Sequence, residues 1–574
     1  MASSIITTAY RIVMDKKGFI YSAISPVLIL TVLLETNTVA FAAEPTDSTK
    51  TNAVPTQTQV TPEQIRLNDL QEQIKTAKQA GKYAQAVDAS MALAEEYQSQ
   101  AQPRTAYWSL HNATPLLRHA PLQSKLKLYH RLSSLAQSLG AHSDSRDYAI
   151  VVNETARQLN NEFLLAVTFN QLGAADARMG DYEDAINNFH QALDLAKKLK
   201  NAELIYRSRL NVVRAQIDLG DKEGIWTSLR ANEKILASLD SDLYRVQQHL
   251  AMGELFRKAY RKFDHTSIWR KQAFKHYDDA LKLAEKLKLD NEQAYAVGYM
   301  ARLYADEGRI DEALSLTQQA AFSAQKVNNE ESLYLWQKQL ARLLWLDGQK
   351  TYALTAYEHA AESLENVLPQ RMAESAVIID EEIEPFYLQW FDLQLQQASK
   401  LSAKDQRQVL AGIKRQLRLL NVKRQWSRRC LVCDSGQREA VIRADMQVYM
   451  LPMIDRVELI LDHRNQLQRF DSKVSISALE KQIEQFNKHN QKNPDKPSAD
   501  NGRNLNQWLI KPIQAELTAD NVRRVSFTGL GLLRGLDIGK IGNGNVLLAE
   551  RIQIQPEVQL AEHNIGQVQF AGLD

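Results

Sequence analysis

The chain has 574 residues, of which 44% are hydrophobic and 24% are charged, and this supplies enough apolar material for two or more packed domains. Its 70 basic and 68 acidic residues give a net charge of +2, a balance that argues against a dedicated nucleic-acid-binding protein. Its two cysteines cannot crosslink a protein of this size, so burial of apolar side chains must hold the fold together.

The N-terminus has the pattern of an export signal. Lys16 and Lys17 precede an apolar run, which ends in an Ala-Phe-Ala motif followed by polar residues. These features predict a signal peptide over residues 1–42, cleaved between Ala42 and Ala43. The alternative is an uncleaved membrane anchor, but about 16 apolar residues fall short of the roughly 20 that a spanning helix needs. We therefore expect a periplasmic or extracellular protein with no membrane span after cleavage.

The next segments differ sharply in composition. Residues 43–62 are rich in Thr, Gln and Pro and contain too few apolar side chains to pack, which predicts a linker. From Gln64 to about Asn366, Ala, Leu, Gln, Glu and Lys dominate, and this composition predicts helices almost throughout. We expect degenerate helical repeats over residues 63–160 and better-formed repeats over residues 161–367.

A period of 40 residues runs through the helical region. It is marked by glycines at Gly140, Gly180, Gly220, Gly308 and Gly348. The spacing slips by eight residues between the third and fourth of these, and the basic stretch Lys262–Arg270 is the predicted site of that insertion. In the clearest copy, Ala185 and Ala192 share one face of a helix, where small side chains allow neighbouring helices to approach closely.

The full repeat pattern is carried by Gly173, Gly180, Tyr182, Ala185, Phe189, Ala192, Gly308, Ala313, Ala320, Gly348, Ala353, Tyr357 and Ala360. This pattern resembles the tetratricopeptide repeat family, with helices about one turn longer than in its minimal unit of about 34 residues. HEAT-type repeats fit the period but not the string of small and aromatic residues. The resemblance implies a mainly α protein, built as an α-solenoid whose first helices line a concave wall that binds a protein or peptide. The alternative is a structural spacer.

The remaining third has a mixed helix and strand pattern. Its predicted elements are helices at Glu381–Lys400 and Lys404–Trp426, strands at Met446–Met453 and Arg456–Leu461, helices at Ser477–His489 and Leu505–Leu517, and strands at Arg524–Phe527, Val546–Leu548 and Arg551–Ile554. This order predicts an α/β region behind the repeats.

Two strings in this region carry a second resemblance. The segments Val448–Leu459 and Trp508–Ile513 resemble, in order and spacing, the opening hairpin and a helix of the CHAT domain, a caspase-like domain found attached to tetratricopeptide repeats. The resemblance implies the N-terminal part of a CHAT-like α/β domain over residues 440–574, preceded by a helical connector over residues 372–430. It also implies a His–Cys dyad in Thr-His-Gly and Ser-Ala-Cys contexts, and neither string is present.

The sequence therefore predicts no catalytic residue, no cofactor and no metal site. We expect an exported scaffold that binds a protein or peptide partner and carries a non-catalytic remnant of a caspase-like CHAT domain. The alternative is a fragment of a CHAT-family cysteine peptidase whose catalytic half is missing from this chain. In a truncated domain, the sheet lacks some of its usual strands. Strands near Val525–Phe527 and Val546–Ile554 would therefore have open edges, which predicts self-association through the C-terminal region.

Two shorter motifs in the C-terminal third, a cysteine pair and a glycine-rich stretch, could also indicate a site. Cys430 and Cys433 form a C-x-x-C pair that is structural or incidental, a local disulfide or redox pair, or part of a metal site, although no two further zinc ligands stand close in sequence. The stretch Gly529–Gly535 imitates a dinucleotide fingerprint. Such a site needs a helix to begin there, and we expect none because further glycines follow.

Overall fold

The computed structural model describes residues 61–236, 239, 241–263, 267–375, 377–428, 444–492, 502–519, 522–542, 548 and 553–555. The predicted signal peptide with its cleavage site at Ala42 and Ala43, nearly all of the predicted linker, and both Cys430 and Cys433 lie outside the described residues.

The first part of the fold is a long series of helices. They are α1 Pro62–Gln79, α2 Tyr83–Ser99, α3 Pro103–His111, α4 Leu122–Ser138, α5 His142–Gln158, α6 Glu162–Met179, α7 Tyr182–Lys198, α8 Ala202–Leu219, α9 Lys222–Leu236, α10 Asp242–Lys262, α11 Ser267–Leu287, α12 Asp290–Asp306, α13 Ile310–Lys326, α14 Glu330–Leu346 and α15 Lys350–Glu374. From α4 onward they form antiparallel pairs. We call the even-numbered helices α4 to α14 the A helices and their partners α5 to α15 the B helices.

Two kinds of turn repeat along this series. Each A helix from α4 to α8, and also α12 and α14, is followed by one of the periodic glycines, which have φ values between 75° and 98°. Glycine adopts this left-handed conformation without the steric cost that other residues bear, so it ends the helix cleanly. The opposite turns carry Asn161, Asn201 and Asn329, each of which caps the next A helix by accepting a backbone N–H at 2.9–3.0 Å.

The predicted α-solenoid with a period of about 40 residues is confirmed. The slip in spacing also has a structural form, since α10 and α11 are 21 residues long whereas α4 to α8 have 17 or 18. The extra residues lengthen the end of α10 and the beginning of α11, which lie on either side of residues 264–266 in the stretch Lys262–Arg270.

Close contacts between A and B helices occur at the small residues of the pattern. Ala185, Ala192, Ala313, Ala320, Ala353 and Ala360 are all fully buried. A Cβ atom added to Gly173 on α6 would lie 2.7 Å from a ring carbon of Phe189 on α7 and 2.9 Å from the carbonyl oxygen of Ala185. The two backbones therefore approach as closely as glycine and alanine allow.

This contact gives a test of the repeat register. Replacing Ala185 with Trp is expected to lower the free energy of unfolding by about 1–3 kcal/mol or more, because the fully buried site has no room for an indole. Asn187→Trp is the matched control, since Asn187 is exposed on the same helix and its replacement should change stability by less than about 0.5 kcal/mol. Chemical unfolding followed by circular dichroism measures both. Equal stabilities of the two variants would contradict the register.

The array of helices curves until its end meets its beginning. Helix α15 contacts α2 and α3, and the segment after it contacts the turn between α4 and α5. There, Ser375 Oγ donates to the carbonyl of Ser138 at 3.4 Å, and a Cβ on Gly140 would lie 3.0 Å from Val377. The array of helices therefore closes on itself through these contacts.

The C-terminal part contains a mixed five-stranded sheet. After a π-helical turn at Ile379–Ile383 come α16 Glu384–Ala398, α17 Ala403–Arg428, β1 Met446–Pro452, β2 Arg456–His463, β3 Gln466–Lys473, α18 Ile476–Lys492, an irregular helical segment over residues 503–517, β4 Arg524–Gly529 and β5 Gln553–Gln555. The strand order is β3-β2-β1-β4-β5. The strands β1, β2 and β3 are antiparallel, whereas β4 runs parallel to both β1 and β5.

The sheet is covered on both faces, and it shares a core with the repeats. Met446, Val448 and Met450 of β1 face α18 and the segment 503–517. The alternate residues Tyr449 and Leu451 belong to the apolar core that also contains α15, α16 and α17. The sheet is therefore attached to the end of the solenoid by a continuous core.

Some strand predictions need correction. The predicted strand at Arg524–Phe527 is present as β4, but it pairs with β1 on one side and β5 on the other, so the prediction of an open edge there is wrong. In the predicted strand Val546–Leu548, the first two residues lie outside the described residues, and Leu548 itself is not in a strand. β5 overlaps the predicted Arg551–Ile554, whose first two residues are not described.

Strand β3 was not predicted at all. It follows β2 through the two-residue turn Arg464-Asn465, whose φ values of 52° and 66° are those of a tight hairpin turn. That turn lacks the glycine that usually marks it, and β3 is mostly polar because it is an edge strand. Neither feature produces a clear strand pattern in the sequence.

Candidate functional site

The A helices lie on the inner side of the curved solenoid. From α6 to α14, successive A helices contact one another more extensively than successive B helices do. In a curved stack of helix pairs, the more closely spaced layer is the concave one. The surface of the A helices on this concave side is called the inner wall below.

Equivalent positions of the A helices show which residues the inner wall presents. The position of Gly173 holds small or β-branched residues in every copy, namely Ser133, Gly173, Val213, Gly253, Ala301 and Ala341. The next position along each helix holds Ser134, Ala174, Arg214, Glu254, Arg302 and Arg342. Packing therefore restricts the first position, whereas the second differs in size and charge between copies.

One half of the inner wall, on α10 and α12, is a compensated ionic network. Glu254 pairs with Arg257 at 3.0 Å and with Arg302 at 3.6 Å, and Arg257 also pairs with Asp306 at 2.6 Å. Burial alone would raise the pKa of the Glu254 carboxyl, but the two guanidinium groups lower it below its usual value. Each of these four charges thus has a partner of opposite sign.

The other half, on α4, α6 and α8, is a line of uncharged hydrogen-bonding groups that ends at one arginine. We call it the polar ladder, and its members are His130, Gln171, Asn170, Asn211 and Arg214. Gln171 Nε2 lies 3.2 Å from His130 Nε2, Asn211 Nδ2 donates to Asn170 Oδ1 at 3.1 Å, and Arg214 Nη1 donates to Asn211 Oδ1 at 2.7 Å. Asn170 is buried, and the other four side chains are partly exposed.

Arg214 differs from the arginines of the ionic network. Among the residues that the structure describes, no carboxylate lies within ion-pair distance of its guanidinium group, and its side-chain partner is the uncharged Asn211. Burial lowers the pKa of Arg214, with a small opposing effect from Tyr206. The polar ladder therefore ends in a positive charge without a counter-ion. A largely buried charge in this state lowers the stability of the fold.

A second group of titratable residues lines a cleft of about 290 Å³ between α9, α10 and α11. The Nδ1 atoms of His249 and His276 lie 3.1 Å apart, and His276 Nε2 lies 3.3 Å from a carboxylate oxygen of Glu233. Burial, together with the neighbouring His276, lowers the pKa of His249 to about 4. Its contact with His276 lowers the pKa of Glu233 to about 2. Over the described part of the chain, no group of three His, Cys, Asp or Glu residues is arranged to hold a metal ion.

The junction between repeats and sheet is a third polar cluster. The fully buried carboxylate of Glu384 accepts hydrogen bonds from Arg424 and from the backbone N–H of Gly531, and it forms an ion pair with Arg534 at 2.7 Å. Gly531 opens a short 3-10 turn, Gly531–Leu533, rather than a helix. The glycine-rich stretch therefore has no helix N-terminus to hold a phosphate, and the amide of Gly531 already donates to Glu384.

The structure separates the predicted site residues into two groups. Gly173, the six alanines and the aromatic residues Phe189 and Tyr357 lie between helices, where they set the packing. Gly180, Gly308 and Gly348 lie in exposed turns, and the half-buried Tyr182 lies at the start of α7. The polar ladder was not singled out from the sequence. Asn170 and Asn211 are 41 residues apart. An amide that recurs near the repeat spacing within apolar helices is the sequence signal that could have identified the polar ladder.

None of the described helices has the length and apolar character needed to cross a membrane.

No known protein-family model matches the chain. Among solved structures, it is similar to the apo form of the quorum sensor NprR from B. thuringiensis, with 16% identity, 57% of this chain and 97% of that chain covered, and a TM-score of 0.33. It is also similar to BtubC from P. vanneervenii, with 13% identity, 40% of this chain and 93% of BtubC covered, and a TM-score of 0.33. A third similar structure is a signal transduction ATPase with a tetratricopeptide repeat sensor from Pyrococcus horikoshii. The identity is 13%, 57% of this chain and 50% of the ATPase are covered, and the TM-score is 0.30. At such low identities, only this chain's own residues bear on its function.

Proposed function

We propose that this protein is a scaffold whose inner wall binds an extended segment of a protein or peptide partner. The observation that carries the proposal is the polar ladder, a line of side-chain amides on successive A helices. A side-chain amide carries both donors and acceptors, which is the combination that a peptide backbone presents. Asn170 is buried and donates to Ala166 and Ser208, so the partly exposed amides of Gln171 and Asn211 are the ones a partner could reach. A structural spacer has no use for partly exposed amides and an uncompensated arginine on its inner side, because such groups lower stability.

The test uses the mature chain, residues 43–574, and a displayed library of random 12-residue peptides. We expect enriched peptides to bind the protein and to lose about tenfold or more in affinity with Asn211→Ala, since a bound backbone would lose a hydrogen-bonding partner. Asn187→Ala, on the outer helix α7, is the matched control and should leave affinity unchanged. Fluorescence anisotropy measures both. Failure to enrich any peptide, or equal binding by the two variants, would overturn the proposal.

We further propose that the C-terminal sheet is a non-catalytic remnant of a caspase-like CHAT domain that completes the end of the solenoid. Its support is the CHAT-like order of motifs and the core it shares with α15 to α17. Mass spectrometry of the peptides recovered from binding tests this role, and intact peptides are expected. Cleavage that disappears in a Cys430→Ala, Cys433→Ala double variant would instead favour the fragment of a cysteine peptidase.

We also propose that the chain is exported, which is supported by the basic flank, apolar run and small-residue site at its N-terminus. N-terminal sequencing of protein recovered from the cell envelope or the medium should then begin at Ala43. Recovery of the protein with Met1 in the cytoplasm would contradict export.

A further inference from the structure

We infer that the bound segment is acidic and that one of its carboxylates pairs with Arg214 at the end of the polar ladder. The inference rests on the proposed function, because it assumes that the inner wall binds an extended peptide. It adds the chemical class of the partner and the residue that selects it.

The carboxylates on α6 and α8 are already paired with other cations. On α6, Asp176 accepts from Arg146 at 2.7 Å, and Glu162 pairs with Lys198. On α8, the two acidic residues are similarly occupied: Asp218 pairs with Lys258 at 2.8 Å, and Glu203 pairs with Arg207 at 3.0 Å. The acidic groups of both helices thus bind elsewhere.

The next A helix does not supply a counter-ion either. Glu254 of α10 lies between Arg257 and Arg302, and the hydroxyl of Tyr277 donates to it as well. These contacts use the lone pairs of that carboxylate and balance its charge. Neither the carboxylates of α6 and α8 nor Glu254 is therefore free to pair with Arg214, and we propose that a partner supplies the carboxylate.

Arg214 is suited to this role by its position. Arg214 is only partly buried as a residue, and its Nη1 donates to Asn211, which orients the guanidinium group beside the amides of the ladder. A planar guanidinium group can donate two parallel hydrogen bonds to a carboxylate, and the pair is strong where water is largely excluded. An extended peptide lying on the ladder would bring an acidic side chain, or its own C-terminal carboxylate, to this point.

Arg209 on the same helix provides a comparison. It also lacks a carboxylate partner among the described residues, and burial lowers its pKa. Its Nη1 atom donates at 3.2 Å to Oδ1 of Asn232, which is fully buried on the B helix α9. Arg209 is thus directed into the packing between α8 and α9, whereas Arg214 is directed along the polar ladder. Arg209→Gln is therefore a matched control for charge removal.

The experiment compares peptides that differ only in charge. Each peptide enriched on residues 43–574 is synthesised in its native form, with Glu and Asp replaced by Gln and Asn, and with a C-terminal amide in place of the free acid. We expect the unmodified protein to bind the form with the required carboxylate about 30-fold or more tightly than its neutral counterpart. The two substitutions distinguish an acidic side chain from a free C-terminus.

The variants locate the effect at Arg214. Arg214→Gln should remove the difference between the acidic and neutral peptides, Arg214→Lys should keep part of it, and Arg209→Gln should keep all of it. Neutral peptides that bind the unmodified protein as tightly as acidic ones would overturn the inference while leaving the proposed function intact. Absence of binding by every peptide would overturn both. Because the acidic and neutral peptides are compared on the unmodified protein, the test does not depend on the folding of any variant.

Discussion

Replacing Glu384 with Ala is expected to lower the free energy of unfolding by about 3–5 kcal/mol, the cost typical of removing one partner from a buried ionic cluster. Glu384 is fully buried at the start of α16, where it accepts from Arg424 and from the N–H of Gly531 and forms an ion pair with Arg534 at 2.7 Å. Without it, two guanidinium groups would share the single carboxylate of Asp380. The loss would fall on the contact between the solenoid and the sheet.

Urea unfolding measures this effect, with two comparisons. Glu374→Ala removes an exposed carboxylate that accepts from Gln370 within its own helix, and it should change stability by less than about 0.5 kcal/mol. Removing the charges together, as Glu384→Leu with Arg424→Met and Arg534→Met, should recover much of the loss because no buried charge is left unpaired. A change below about 1 kcal/mol for Glu384→Ala would show that water reaches the junction and satisfies the arginines.

The repeats could be predicted from the sequence because their determinants are local and recur. Gly180 and Gly220 end helices by their own φ preference, and alanines seven residues apart mark one helix face wherever they occur. The slip of eight residues was likewise visible as a change in spacing. Its outcome, two longer helices, was not, because the sequence alone does not say whether an insertion extends helices or lengthens a loop.

The junction and the inner wall could not be predicted in the same way, since they depend on contacts between distant residues. Glu384 and Gly531 are 147 residues apart, and nothing near either of them marks the pairing. Likewise, Arg214 is one of many arginines in the sequence. It stands out only once the structure shows that Asp176, Asp218 and Glu254 pair with other cations, whereas Arg214 has no carboxylate partner among the described residues.

The paired histidines of the cleft give the second large effect, a loss of stability in mild acid. His249 has a pKa lowered to about 4 by burial and by the neighbouring His276, whereas an unfolded histidine has a pKa of about 6.5. The groups that face this pair are Glu233 on α9, Arg245 on α10, and Lys275 and Asp279 on α11. Of these, Asp279 and Glu233 raise the pKa of His249, and Lys275 lowers it.

The direction of the pH effect follows from these values. Between pH 6.5 and pH 4 the unfolded chain binds a proton at His249 that the folded chain does not, so the free energy of unfolding falls as the pH is lowered, by about 3 kcal/mol in total. Glu233, with its pKa lowered to about 2, adds a further loss of stability below about pH 4.5.

In His249→Asn, an amide can still donate to His276 but cannot take up a proton, so the decline between pH 6.5 and pH 4 should become shallower. His190→Asn, at an exposed histidine of α7, should leave the decline unchanged. Urea unfolding of the three proteins at pH 7, 5.5 and 4 measures the difference, and parallel pH profiles for all three would show that His249 does not carry the effect.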